Sequence, residues 1–388
     1  MAQRILTTHV GSLPRPERVV TQLFAQDSGL NYDAAEFDRI MAAEVADVVA
    51  RQASSHVDVV SDGEMSKISY ATYIRHRLTG FELGEMPRAV PRDLDDFPDF
   101  KERLAKLGAT PKYHRPICTG PISVKDLSGL HKDIANLQAA CAAAAAPGPP
   151  KLRAFMNSAS PGVIAVFQPN KYYASTELYL QALADAMATE YEAIVAAGLD
   201  LQIDAPDLAM GRHIKFRDVD DNEFLRNANL QVEALNHALR NVPAERIRMH
   251  VCWGNYEGPH HYDIGLEKII DVVLKAKPAT VLFEGANPRH AHEWEVWAKA
   301  GREGRIPEHK ILAPGVLDTV NNFIEHPRLV AQRLLTYANI VGRERVMAAS
   351  DCGFGTFAGF GAIHPPICYA KLASMAEGAE MASKELWP

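Results

Sequence analysis

Short runs of strand-forming residues alternate with longer segments of helical periodicity, the pattern of repeated βα units on a parallel sheet. Candidate strands lie near residues 5–10, 57–61, 116–119, 152–157, 199–204, 247–252, 279–284, 310–316 and 346–350. Helical periodicity falls near residues 34–53, 175–197, 221–240, 263–275, 290–300, 326–340 and 366–383. Nine strands are one too many for an eight-stranded barrel, so we expect residues 116–119 to lie outside it.

An irregular segment, about residues 66–115, interrupts the alternation after the second strand and is rich in Pro, Asp and Arg. A long ordered insertion of this kind is usually a lid or an oligomer contact, so a homo-oligomer is one of the alternatives. Residues 139–150 are an Ala-rich helix end followed by prolines, typical of a solvated loop. Neither segment indicates a domain boundary, and we predict that residues 1–388 form a single domain.

Composition limits the partners of the chain. A net charge of −7 and a pI near 6.1 give no electrostatic footprint for nucleic acid or an anionic membrane, so we expect a small-molecule substrate. The N-terminus lacks the apolar stretch of a signal peptide, and nowhere do about 18 apolar residues run together. Five cysteines at unrelated spacings fit a reducing compartment. We therefore expect a cytoplasmic protein.

Metal-binding side chains stand where three of the candidate strands end. They are His250 with Cys252, then Glu284, then Cys352. The carboxyl ends of barrel strands meet at one face, so these four side chains can converge on one ion. A lone His or Cys at a strand end is more often a core residue. His250 and Cys252 are two apart on one strand, hence on the same face, and this favours a ligand pair.

The ligand types indicate the chemistry. Nitrogen and sulfur ligands in tetrahedral geometry favour zinc, and a site built from distant strands suggests catalysis more than structure. Zinc deprotonates a coordinated thiol, and electron-rich thiolate ligands keep that sulfur nucleophilic. Water activation prefers ligand sets richer in His. The residues therefore favour thiol alkylation over hydrolysis.

Several segments, in matching order, resemble the catalytic half of cobalamin-independent methionine synthase. They are Thr7 to Pro14, Asp62-Gly63-Glu64, Gln202 to Pro206, His250 with Cys252, Glu284, Pro314 to Asp318, and Asp351-Cys352-Gly353. The resemblance runs nearly end to end. It implies a (β/α)8 TIM barrel of the type shared with uroporphyrinogen decarboxylase, with the insertion after the second strand. It also implies methyl transfer to homocysteine from a donor of the 5-methyltetrahydrofolate type.

The resemblance assigns roles to individual residues. It implies that zinc is held by His250, Cys252, Glu284 and Cys352, which are also the catalytic group. Glu64 and Asp204 match acidic positions that hold the amino group of homocysteine, and Ser12 matches a position near its carboxylate. An ammonium group in a strand-end pocket needs carboxylate partners, which agrees with these roles.

Two departures from the family pattern concern the second substrate. The full synthase has another, N-terminal barrel that helps to hold the folate, and this chain is too short to contain it. Where the synthase stacks the pterin on a tryptophan, this chain offers Phe167, with Tyr172 and Tyr173 close behind. These rings are either an aromatic platform or part of the core.

Arg289 follows the second metal-binding strand end, at Glu284, where it suits capture of an anionic thiol. Trp253, Asn255 and the pair His260 and His261 are expected at the pocket mouth beside it. The alternative for Arg289 is a surface ion pair with Glu293, four residues later.

Three other functions remain open at this point. Single-barrel relatives include zinc enzymes that join coenzyme M to an epoxide, and Arg289 would suit that anionic thiol. A metal-free decarboxylase of the uroporphyrinogen type would carry no zinc. A non-catalytic zinc- or thiol-binding protein would cage the metal completely.

Overall fold

The computed structural model describes residues 3–84, 90–106, 115–144 and 152–388. Its strands are β1 Leu6–Thr7, β2 Val59–Val60, β3 Phe81–Gly84, β4 Arg115–Cys118, β5 Arg153–Ala159, β6 Asp200–Asp204, β7 Ile247–Val251, β8 Thr280–Phe283, β9 Ile311–Leu317 and β10 Met347–Ser350. Eight of them form one parallel sheet in the order β1-β10-β9-β8-β7-β6-β5-β2. The Asp58 N–H donates to the Thr7 carbonyl at 3.2 Å, which links the two edge strands. The sheet is therefore a nearly closed (β/α)8 barrel, as predicted.

Helices surround the barrel. They are α1 Glu17–Ser28, α2 Ala34–Ser54, α3 Pro98–Lys106, α4 Ser128–Ala144, α5 Pro161–Phe167, α6 Thr176–Ala196, α7 Gly211–Ile214, α8 Asp221–Ala238, α9 Leu266–Lys275, α10 Trp294–Arg302, α11 Pro327–Val341 and α12 Pro365–Leu386. Side-chain oxygens of Asp33, Ser175 and Asp220 accept backbone N–H bonds at the starts of α2, α6 and α8. Such caps satisfy donors that have no partner within the helix.

The expected extra strand does lie outside the barrel. β4 pairs only with β3 among the described strands, as an antiparallel hairpin. The sequence pattern did not indicate β3, α1, α3, α5 or α7, and of α4 it indicated only the Ala-rich end. β3 and α3 belong to the irregular insertion, and α5 and α7 are only 7 and 4 residues long. Of the Ala-rich stretch, residues 139–144 complete α4 and residues 145–150 lie outside the described part.

The described part of the insertion covers the mouth of the barrel. The buried Asp93 accepts hydrogen bonds from the His260 N–H at 2.7 Å and the Tyr256 hydroxyl at 2.5 Å. Arg217, beyond α7, forms an ion pair with Asp95. These bonds attach the insertion to the loops that follow β6 and β7. Among the described helices, none combines the length and the apolar character that a membrane span requires.

Candidate active site

Three metal-binding side chains meet where two barrel strands end. His250 is on β7, Cys252 directly follows β7, and Cys352 follows β10. Their donor atoms all lie within 4.8 Å of one another, and the two Sγ atoms are 3.0 Å apart. Each of the three residues is at most 6% exposed. The structure therefore brings these predicted residues together in a buried group.

The three side chains shift the pKa values of one another. The hydrogen bond from Cys352 lowers the pKa of Cys252, whereas burial raises the pKa of Cys352. Burial opposes a charged His250, but the adjacent Asp204 carboxylate and Cys252 thiol together outweigh burial and raise the pKa of His250 to about 10. A cation that binds thiolate and imidazole donors displaces protons of this kind.

The donor set fits a metal ion. One imidazole and two sulfurs in close range are typical zinc ligands. His250 Nε2 lies 3.1 Å from the Asp351 carbonyl oxygen, and Nδ1 lies 3.4 Å from Asp204 Oδ1. On metal binding one of these nitrogens would exchange its neighbour for the ion, and the neighbour of the other would fix the orientation of the imidazole, as the outer partners of metal ligands do.

Glu284, the predicted fourth ligand, follows β8 and lies beside the cysteines. Its Oε1 is 3.9 Å from Cys352 Sγ. The carboxylate accepts hydrogen bonds from the Trp253 N–H at 2.8 Å, the Asn287 amide at 2.7 Å and the Arg289 guanidinium at 2.6 Å. Burial raises the pKa of Glu284, but the charges of Arg289 and His290 and the hydrogen bond from Trp253 together outweigh burial and lower it. Glu284 is thus an ionised carboxylate next to the thiols, held by protein donors.

Two buried carboxylates, Glu64 and Asp204, line a cavity beside the group of His250, Cys252 and Cys352. Asp204 ends β6 and is in register with His250, while Glu64 follows β2 with a left-handed φ of 55°. Glu64 Oε2 and Asp204 Oδ1 have no hydrogen-bond partner. Burial and the charge of Asp204 raise the pKa of Glu64 to about 7. Unpartnered acceptors with excess negative charge attract a cationic group.

The cavity has a volume of about 570 Å³. Of the nine predicted site residues, seven line it: Ser12, Glu64, Phe167, Asp204, His250, Cys252 and Cys352. The Phe167 ring packs edge-on against Tyr70, with centroids 5.7 Å apart. Tyr172 and Tyr173 are not among the described lining residues, and Tyr172 is 52% exposed.

Arg289 does not line the cavity. Its guanidinium donates to Glu284 and lies 3.8 Å from Asp263 Oδ2. The alternative pairing with Glu293 is wrong, because Glu293 lies 3.0 Å from His290 instead. The carboxylate of Glu284, five residues before Arg289 across a tight loop, is nearer to the guanidinium than the carboxylate of Glu293, four residues after it.

The loop after β7 differs from expectation in part. Asn255 lines the cavity as predicted. Trp253 is instead buried, and its ring stacks on His290 with centroids 4.2 Å apart. His260 is also buried, and His261 lies on the surface, 2.9 Å from Asp96.

The Arg289→Ala change should destabilise the metal-free protein by about 3 kcal/mol, because it leaves the buried carboxylate of Glu284 without its charged partner. Thiol binding should change equally for homocysteine and coenzyme M, since the guanidinium does not reach the cavity. Denaturant unfolding of Arg289→Ala, Glu284→Gln and the double variant measures the coupling. Additive losses would show that the two side chains act independently.

Two buried polar residues of the barrel, Asn157 and Arg248, were not among the predicted site residues. The Asn157 amide donates to Asp204 Oδ2 at 2.9 Å. Arg248 is fully buried inside the barrel, 3.9 Å above the Phe155 ring. Arg248 shares a strand face with His250, two residues later, and that spacing could have revealed its inward direction. No local pattern marks Asn157.

Comparison with known proteins agrees with the fold and the resemblance. Residues 5–88 match the family described as the catalytic domain of cobalamin-independent synthase. The chain is 25% identical to a methionine synthase of Saccharolobus solfataricus, covering 98% of this chain and 95% of that protein. It is 22% identical to a methionine synthase of Thermococcus kodakarensis, with coverage of 98% and 94%.

A solved structure shows the same fold. It is a B12-independent methionine synthase from a Shewanella species in complex with selenomethionine, with a TM-score of 0.74, 19% identity and 99% coverage of both chains. The resemblance seen in the sequence is therefore confirmed: this chain is similar over nearly its whole length to proteins named methionine synthase, and over residues 5–88 to the catalytic domain of cobalamin-independent synthase.

Proposed function

We propose that this chain is a zinc-dependent S-methyltransferase that moves a methyl group to homocysteine and gives methionine. The observation that carries the proposal is a single cavity in which Glu64 and Asp204, each with one carboxylate oxygen that has no hydrogen-bond partner, adjoin the His250, Cys252 and Cys352 group. A substrate with an ammonium group at one end and a thiol at the other satisfies both parts. The naming of full-length relatives as methionine synthases supports the same substrate.

The zinc would be held by His250, Cys252 and Cys352, with Glu284 as the fourth ligand. When bound, zinc supplies the deprotonation of a coordinated thiol and keeps the sulfur nucleophilic. Glu284 lies 3.9 Å from Cys352 Sγ but is not in the group whose donor atoms all lie within 4.8 Å of one another, so it would have to move closer to bind the ion. Its three protein donors would hold it when another ligand takes its place.

The remaining steps belong to side chains of the barrel. Glu64 and Asp204 bind the ammonium group, and Ser12 lies in the same cavity near where the carboxylate would be. Holding both ends of the amino acid fixes the sulfur in one position, and such positioning lowers the barrier to group transfer. The insertion over the barrel mouth limits the access of water, which strengthens the charge interactions inside.

The methyl donor would occupy the part of the cavity lined by Phe167. A donor of the 5-methyltetrahydrofolate type is what the resemblance implies, and an aromatic side chain at this wall suits a flat ring. We propose that residues 1–388 act as one domain, with the insertion at about 66–115 as its lid.

The geometry gives less support to the other functions. Ligation of an epoxide to an anionic thiol was suggested by Arg289, which faces Glu284 rather than the cavity. Two carboxylates at the thiol site also repel a substrate without an amine. A storage protein has no need of a cavity of about 570 Å³ beside its metal ligands.

A thiol panel on cobalt-substituted protein tests the proposal. Homocysteine should change the sulfur-to-metal charge-transfer band and release about one proton per chain near neutral pH, because the thiol binds as thiolate. Methionine, which has no thiol, is the matched control and should not produce the new band. Spectra that ignore homocysteine, coenzyme M and glutathione alike would contradict the proposal and indicate a structural metal.

A further inference from the structure

His213 is a buried histidine on the cavity wall that the proposed reaction has not used. It is 1% exposed, and neither ring nitrogen has a hydrogen-bond partner. Among the described lining residues, the others with buried, unpartnered side-chain atoms are Glu64 and Asp204. Those are carboxylates, whereas an imidazole can donate as well as accept. A buried polar group in this state is stabilised by a ligand that completes its hydrogen bonds.

The backbone holds His213 in a fixed relation to the metal-binding strand end. The Met210 N–H donates to the Cys252 carbonyl at 3.1 Å, and the His213 N–H donates to the Met210 carbonyl at 3.2 Å. α7, which carries His213, is therefore attached to the residue that bears one of the thiols. A molecule bound by His213 would lie in the same cavity as the sulfur group.

The far side of the imidazole faces an acidic group. His213 Nδ1 lies 3.2 Å from Asp263 Oδ1, but not in hydrogen-bonding geometry. Asp263 also lies 3.0 Å from a ring nitrogen of His260 and 3.0 Å from one of His290. Burial lowers the pKa of His213, so the ring is neutral and has one N–H and one lone pair to offer.

A second metal ion is the competing explanation for this cluster. Donor atoms of His213, His260 and Asp263 lie within 4.8 Å of one another. However, Arg289 lies 3.8 Å from Asp263, and His290, whose pKa is raised to about 10 by Asp263 and Glu293 against the effect of burial, lies 3.0 Å from it. A further cation would have to compete with both of these positive side chains for the one carboxylate of Asp263, which disfavours a metal ion here.

Part of the wall of the cavity that His213 lines is apolar and aromatic. Tyr70, Val166, Phe167, Ile214 and Phe357 all line the cavity. The Tyr70 ring is 5.7 Å from the ring of Phe167 and 5.6 Å from that of Phe357. An amino-acid thiol would fill only part of about 570 Å³. The remaining space suits a flat ring that packs on aromatic side chains.

We propose that His213 is a binding residue for the alkyl donor, and that this donor is a flat ring compound whose hydrogen-bonding atom meets the imidazole. The inference rests on the proposed methyl transfer. In that reaction the sulfur–carbon bond forms as the bond between carbon and the donor atom breaks, and the electron pair stays on the donor. His213 forms one hydrogen bond with the alkyl donor, and His213 transfers no proton.

The test uses metal-loaded protein and 6-methylpterin, a flat ring rich in hydrogen-bonding atoms. Calorimetry on wild type, His213→Ala and His213→Gln measures pterin affinity, and homocysteine affinity is measured on the same samples. His213→Ala should weaken pterin binding about five- to tenfold, the loss of one hydrogen bond, and His213→Gln should recover part of it. Homocysteine affinity should stay unchanged. In NMR spectra of protein labelled with 13C at histidine Cε1, the signal of His213 is the one that is missing from His213→Ala. Addition of pterin should shift that signal.

Three results would overturn the inference. The first is wild-type protein that does not bind 6-methylpterin, and the second is equal pterin affinity in all three proteins. The third is a second equivalent of metal in wild type that His213→Ala loses, which would make the cluster a metal site. A cobalt spectrum that ignores homocysteine contradicts the methyl-transfer proposal separately, because the pterin titration does not depend on it.

Discussion

The double substitution Cys252→Ser, Cys352→Ser should remove metal binding and the ability to activate a thiol together. The two Sγ atoms are 3.0 Å apart, although Cys252 follows β7 and Cys352 follows β10. Each substitution therefore removes one of the three clustered donor atoms. A serine hydroxyl is a poor zinc ligand beside a thiolate. Elemental analysis should find about one zinc per chain in the wild type and almost none in the double variant.

The matched control is Cys118→Ser, Cys368→Ser, since both of these cysteines are buried but lie outside the cavity. That variant should keep its metal even if it loses stability. A full complement of zinc in Cys252→Ser, Cys352→Ser would refute the metal site. A wild-type protein free of metal that still has an activity on carboxylated substrates would favour the decarboxylase instead.

Much of the barrel was predictable because its strands are fully buried. β8 is buried at every residue and reads as a short apolar run, whereas β6 and β7, equally buried, alternate apolar with polar side chains, which is also a strand pattern. β3 could not be found this way, because none of its residues is buried. It pairs with β4 over the barrel surface, and that contact depends on the tertiary structure.

The strand-end rule also explains which site residues could be predicted. His250, Cys252 and Cys352 meet because parallel strands place their carboxyl ends at one face. Arg289 is not on a strand, and the direction of its side chain depends on the charges that surround it. His213 and Asp263 lie on α7 and in a loop, about 50 residues apart in sequence, so no local spacing relates them.

Glu64→Gln should weaken homocysteine and methionine binding by about 1.5–3 kcal/mol, the range for a charge-assisted hydrogen bond to an ammonium group. The amide keeps the shape of the side chain but loses its negative charge. Coenzyme M has no amine, so its affinity should stay equal or improve when the repulsion is removed. Thiol affinity for both compounds, measured on wild type and Glu64→Gln, separates an amino-acid site from an anion site. Glu267→Gln, in the first turn of α9, is the control.

The same carboxyl group should make methionine binding depend on pH. Burial, with the charge of Asp204, raises the pKa of Glu64 to about 7, so the free protein holds a proton there below pH 7. The ammonium group of the ligand favours the ionised carboxylate, and binding must therefore expel that proton. Affinity should fall by about tenfold per pH unit as the pH drops below 7, and it should level off above 7. Glu64→Gln has no proton to lose and should show no such slope between pH 5.5 and 8. A wild-type profile as flat as that of the variant would mean that Glu64 does not contact the amino group.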